Sequence, residues 1–123
     1  MSEIAIRIGD LGFKAEIDDT PTGNAIVGSF PLEGTANRWG DEIYFDISLQ
    51  LELEPDAREE VAVGDLAYWP AGPAFCIFFG KTPVSTSDTP RAFSPVNVFG
   101  RILGGTDLLR SVGSGESITV SAA

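Results

Sequence analysis

The sequence predicts a mainly β fold, a closed antiparallel barrel of about eight strands with two short helices. Two observations carry this reading. Apolar residues recur with a period of two along most of the chain, the mark of half-buried strands. The 14 Gly and 8 Pro among 123 residues punctuate it into short runs. Closure follows because a barrel leaves no strand edge exposed, whereas a β-sandwich, the alternative with the same pattern, keeps its edges.

The elements follow in order. Ile4, Ile6 and Ile8, then Phe13, Ala15 and Ile17, are separated by Gly9-Asp10-Leu11-Gly12 and predict an opening hairpin. Thr20 supplies a capping hydroxyl before Pro21, and Ala25, Ile26 and Phe30 give a short helix one apolar face, with Gly23 and Gly28 limiting it. From Ile43 through Phe45, Ile47, Leu49 and Leu51 to Leu53 every odd position is apolar, so a long strand is expected until Pro55-Asp56. Val61 and Val63 open another extended stretch and Gly64-Asp65 turns the chain. Strands over 66–69 and 74–79 flank Pro70-Ala71-Gly72-Pro73, the second reading as fully buried. Residues 82–95, with three each of Pro, Ser and Thr, read as an exposed loop. A strand over 96–102, a helical turn or two over 106–110 and a last strand through Ile118 and Val120 complete one domain spanning 1–123.

Composition removes whole classes of chemistry. Eighteen acidic against eight basic residues give a net charge of −10, and the cations are scattered singly, so nucleic acid is not an expected partner. The absence of histidine excludes His-based triads, and a lone Cys76 allows neither an internal disulfide nor a thiolate cluster; no metal or cofactor is expected. The longest charge-free run, 66–80, contains Pro70, Gly72 and Pro73 and is too short and broken to span a bilayer, so no membrane association is expected. The start Met1-Ser2-Glu3-Ile4 lacks a positive region before an apolar one and predicts a cytoplasmic protein.

Most apparent motifs are structural. Gly80-Lys81-Thr82 suggests a phosphate loop, but Phe75 stands where that loop needs glycine. Gly113-Ser114-Gly115 has Ile118 in place of a third glycine and reads as a turn. Adjacent acids such as Asp18-Asp19, Asp41-Glu42 and Glu59-Glu60 point to opposite faces of a strand and are mostly solvated. Glu42 stands apart because Arg38, Trp39 and Tyr44 surround it in sequence, a mixture of cation, anion and aromatics typical of sites. Cys76, between Phe75 and Ile77, reads as a small core hydrophobe. Tyr68, Trp69, Phe75, Phe78 and Phe79 alternate, so one set fills the barrel and the other meets a helix or lines an external groove.

Three stretches, Gly64-Asp65-Leu66-Ala67-Tyr68-Trp69-Pro70, Phe75-Cys76-Ile77-Phe78-Phe79-Gly80-Lys81-Thr82-Pro83 and Val96-Asn97-Val98-Phe99-Gly100, resemble the cyclophilin-like family of small bacterial and archaeal proteins. Trp39-Gly40-Asp41-Glu42-Ile43-Tyr44-Phe45 is similar to the same family. The resemblance implies a closed eight-stranded cyclophilin-like barrel capped by two short helices, with a ligand groove on its outer side. Against the prolyl isomerases of that fold, Cys76 stands where they have glutamine, Val96 where they have histidine, Phe78 at the pocket phenylalanine and Arg38 at the catalytic arginine.

Prolyl isomerisation breaks no bond; it needs an apolar pocket and a donor aimed at the proline nitrogen as the amide twists. The expectation is therefore a small-molecule or peptide-like ligand in an external groove formed by Arg38, Trp39, Glu42, Tyr44, Phe78 and Asn97. Efficient isomerase activity is not expected. The alternatives are a weak isomerase using Arg38 as its catalytic donor and Phe78 in its proline pocket, and a protein-interaction module, with a homodimer among its forms.

Overall fold

A computed structural model describes residues 2–123. Alternation builds the opening hairpin: β1, Ser2–Ile8, and β2, Leu11–Ile17, bury Ile4, Ile6, Ile8, Phe13, Ala15 and Ile17 on one side of the sheet. Gly9, at φ 56°, takes the left-handed turn that a side chain disfavours. Helix α1, Pro21–Val27, begins where expected: Thr20 Oγ1 accepts a 3.0 Å hydrogen bond from Gly23 N, a cap worth about 1 kcal/mol.

The remaining strands are β3 (Leu32–Thr35), β4 (Asn37–Trp39), β5 (Glu42–Asp46), β6 (Arg58–Glu60), β7 (Asp65–Trp69), β8 (Ala74–Phe78), β9 (Arg91–Ile102) and β10 (Ser117–Ala122), with a 3-10 helix at Thr106–Ser111. They form one antiparallel sheet of ten strands in the order β3-β10-β1-β2-β9-β7-β8-β5-β4, with β6 added against β9. Eight strands and closure were expected, and the structure corrects both. The hydrogen-bonded ladder does not close, because β3 and β4 occupy its two ends. They are consecutive pieces of one extended segment joined at Ala36, so chain continuity links the ends. Ala36 is fixed there by its N donating to Glu116 O (2.8 Å) and its O accepting from Gly115 N (2.9 Å). A Cβ on Gly34 would lie 2.8 Å from Phe45 Cδ2, so a glycine lets this segment cross close over β5.

Two apolar clusters lie on opposite faces of the sheet. The larger one fills the interior with Phe45, Tyr68, Phe75, Ile77 and Phe99, whose rings meet at 5.2–5.3 Å between Phe75 and its two phenylalanine neighbours. The smaller, outer one gathers Val61, Ala67, Ala74, Cys76, Phe78, Ala92 and Val96.

Two further expectations fail for local reasons. The predicted strand over 43–53 ends at Asp46. Ile47 N still donates to Pro73 O (3.0 Å), but beyond it the backbone bonds to side chains instead of a neighbouring strand: Tyr68 Oη donates to Leu49 O (2.8 Å) and accepts from Leu51 N (3.0 Å), while Glu54 N donates to Asn97 Oδ1 (2.8 Å). Ile47, Leu49 and Leu51 still pack on the interior, so the apolar period survives without a ladder. The predicted loop 82–95 is shorter, because β9 begins at Arg91. Among the described residues no helix is long and apolar enough to cross a membrane.

Candidate functional site

Strand parity sorts the central residues onto two faces. On β5, Ile43 and Phe45 enter the interior while Glu42 and Tyr44 face outward. Opposite them on β8, Phe78 pairs with Glu42 and Cys76 with Tyr44; on β7, Ala67 pairs with Cys76 and Trp69 with Ala74. On the other side of β5, Trp39 of β4 pairs with Glu42 across a two-residue turn. Gly40 opens that turn at φ 60°, as a type II′ hairpin requires.

These outward side chains and the start of β9 enclose a pocket of about 250 Å³ lined by Trp39, Glu42, Tyr44, Trp69, Cys76, Ala92, Phe93 and Val96. Cys76, Ala92, Val96 and Glu42 are its buried part. The three larger aromatics of the sheet are half-buried, and Phe93 is 68% exposed at the mouth. Phe93 bridges the two indoles, its centroid 6.2 Å from Trp39 and 6.3 Å from Trp69 at interplanar angles of 73° and 82°. Such edge-to-face contacts hold the rings around a space instead of stacking them into it. Trp69 is anchored further by its Nε1 donating to Ser94 Oγ at 2.6 Å.

Glu42 sets the electrostatics. Only 6% exposed, its carboxyl is pushed up from 4.5 to about 7 by burial, and a hydrogen bond from the Cys76 thiol offsets part of the rise. The thiol also lies 4.0 Å from Ala74 O, at the outer limit for a hydrogen bond from sulfur. Burial and the negative charge of Glu42 push the Cys76 thiol well up, so at neutral pH it is a protonated donor and not a nucleophile. The site can therefore hold or release one proton at Glu42 near neutrality.

The sequence matches the family described as Cyclophilin-like over residues 2–121. The chain belongs to the cyclophilin-like family. A hypothetical protein of Archaeoglobus fulgidus, known from a solution structure, is 41% identical to this cyclophilin-like chain. The match covers 99% of this chain and 95% of that one, with a TM-score of 0.81. No curated protein matches the chain.

Of the six residues expected to share a groove, this cyclophilin-like structure brings together Trp39, Glu42 and Tyr44. Arg38 faces the other way. It pairs with Ile43, an interior position, and its guanidinium lies 4.8 Å from the Phe79 ring centroid. There Nε donates to Gly40 O (2.6 Å), Nη1 to Val112 O (2.8 Å) and Arg110 O (3.2 Å), and Nη2 to Asp41 Oδ1 (3.0 Å). These bonds clip the 3-10 helix and its exit to the turn between β4 and β5. Phe78 is on the pocket face but wholly buried in the outer cluster with Val61 and Val96, so it packs beneath the site without lining it. Asn97 pairs with Tyr68, an interior residue, and its amide nitrogen donates to Thr22 Oγ1 (3.0 Å) and Glu52 O (2.9 Å). Its work is to hold the segment after β5 and the start of α1.

Trp69, Cys76, Ala92, Phe93 and Val96 were not among the expected groove residues. For Trp69 and Cys76 the signal was present in the period-two alternation, which puts them on the face opposite Tyr68 and Phe75. Phe93 is the single aromatic in 82–95, an unusual residue for a solvated loop.

Proposed function

We propose that this protein binds a compact, largely apolar ligand in the pocket between β4, β5, β7, β8 and the start of β9. The observation that carries the reading is a buried carboxyl enclosed by two tryptophans, a tyrosine and a phenylalanine around open space. A buried carboxylate without a cation costs stability, and folds keep such groups where a ligand needs them. At about 250 Å³ the space is below the ~300–1,000 Å³ of drug-sized sites, so it suits a headgroup, a single ring or one side chain of a peptide.

The pocket favours binding over prolyl isomerisation. A donor must approach the twisting proline nitrogen, and the Arg38 guanidinium is occupied on the other face by Gly40, Val112, Arg110 and Asp41. Ionised Glu42 is an acceptor and offers nothing to that nitrogen.

Both tryptophans of the chain line the pocket, so intrinsic fluorescence reads its occupancy directly. Titration with a panel of compact amines, alcohols and N-capped Ala-Pro peptide is expected to give a saturable change for at least one class. Phe93→Ala should weaken that binding about 5-fold, the worth of one edge-to-face partner at the mouth. In the same samples NMR exchange spectroscopy should show unchanged cis–trans exchange of the peptide. Accelerated exchange, or a panel that leaves the fluorescence unmoved, would overturn the reading.

A further inference from the structure

Resting on that pocket as the ligand site, we infer that its ligand class is a compact alkylated ammonium, held among Trp39, Tyr44, Trp69 and Phe93 with the Glu42 carboxylate as counter-ion. Charge and solvation eliminate the other ligand classes. An anion would meet the carboxylate in a lining that contains neither Lys nor Arg, on a chain of net charge −10. A neutral apolar ligand would be confined to the protonated acid, whose share shrinks above pH 7, because it would seal the ionised form away from both water and counter-charge. A hard metal ion needs several oxygen ligands, and the pocket offers one carboxylate and one phenol.

Among organic cations, a bare ammonium brings three donors that the mostly apolar lining cannot satisfy. Alkylation removes those donors and spreads the charge over a surface that indole, phenol and phenyl faces attract. The edge-to-face arrangement around Phe93 leaves no ring pair stacked, so ring surface is available to an occupant. The negative field of the whole chain raises the local concentration of such a cation.

A proton competes with this ligand for Glu42. The other titratable groups in the lining are the Cys76 thiol on β8 and the Tyr44 phenol on its own strand; β4, β7 and β9 contribute Trp39, Trp69, Ala92, Phe93 and Val96, none of which titrates in this range. With the carboxyl titrating near 7, the ionised fraction falls as pH drops, and choline-type affinity at pH 5 should be at least ~10-fold below that at pH 8.

The test compares choline chloride with 3,3-dimethyl-1-butanol, its neutral carbon isostere, on the purified full chain by tryptophan fluorescence and calorimetry. Choline is expected to bind at pH 8 with a dissociation constant of about 0.1–1 mM, at least ~10-fold tighter than the isostere. The preference should vanish in Glu42→Gln and fade in the unmodified protein between pH 8 and pH 5. Trp69→Leu, which leaves the carboxyl in place, should weaken choline more than the isostere. Equal or tighter binding of the isostere, or a choline preference that persists in Glu42→Gln, would overturn the cation assignment while leaving the pocket as a ligand site. Binding of neither compound would overturn it too, and the wider fragment titration decides separately whether the pocket binds at all.

Discussion

Glu42→Gln is expected to make the protein more stable at pH 8, by about 3 kcal/mol, and no more stable at pH 4. In the unfolded chain the carboxyl titrates at its ordinary 4.5, whereas burial in the folded pocket moves it to about 7. The folded state therefore holds a proton that the unfolded state has released between those values, and the group's contribution declines as pH rises through that window, at up to ~1.4 kcal/mol per unit. Below 4.5 both states are protonated and the loss disappears; above 7 both are ionised and the loss is constant. Glutamine has the shape of the protonated acid without the titration, so the difference between the two proteins follows the same curve. Urea denaturation at pH 4, 6 and 8 measures it. A flat difference, or a variant less stable at pH 8, would mean that Glu42 is not held in a desolvated pocket. The expected gain matters for function, since a residue that destabilises its own fold and forms part of an open pocket is best explained by a ligand.

The second large effect concerns Arg38, and its direction is opposite. Arg38→Ala should cost about 3 kcal/mol, because the guanidinium supplies charged hydrogen bonds to Gly40 O, Val112 O and Asp41 and covers the Phe79 ring. Asp41 also accepts from Arg110 Nη1 at 2.9 Å, so removing Arg38 leaves a partly compensated carboxylate and the loss stays moderate. Arg38→Lys should recover little of it, since an ammonium cannot reach these acceptors at once. The same variants should bind pocket ligands with unchanged affinity. Thermal unfolding and fluorescence titration on one preparation separate the two consequences. A variant that folds as stably as the parent, or one that loses more ligand binding than its lower occupancy of the native state accounts for, would contradict this division of labour.

Much of the architecture could be read from the sequence because the alternation of apolar residues is itself the strand signal. The opening hairpin, the Thr20-capped helix and the buried strand after Pro73 follow from patterns within a few residues. The number of strands and the open ladder could not be read in this way. Whether 47–53 forms a strand depends on Tyr68 and Asn97, distant in sequence, capturing its backbone groups. The passage of one segment to both ends of the sheet depends on Gly34 clearing Phe45.

The pocket was half legible for the same reason. Trp39, Glu42 and Tyr44 lie within six residues, and their composition announces a site. Arg38, one residue away, shares that neighbourhood in sequence but not in space, because neighbours on a strand face opposite sides; the Asp41-Glu42 pair divides likewise, Asp41 toward the arginines and Glu42 into the pocket. Phe93 closes the mouth from a segment whose serines, threonines and prolines read as solvated loop. Only the tertiary fold, which lays the start of β9 beside β4 and β7, brings its ring to the tryptophans.

The most direct test of the account is to map where compact fragments bind, using ¹⁵N–¹H correlation spectra of the labelled protein with acidic, neutral and amine probes. The predicted result is a set of shifts confined to the indole groups of Trp39 and Trp69 and the amides of Glu42, Tyr44, Cys76, Phe93 and Val96, with Arg38, Phe79 and Arg110 unmoved. Shifts centred on those last three residues, or spectra that no probe changes, would contradict it.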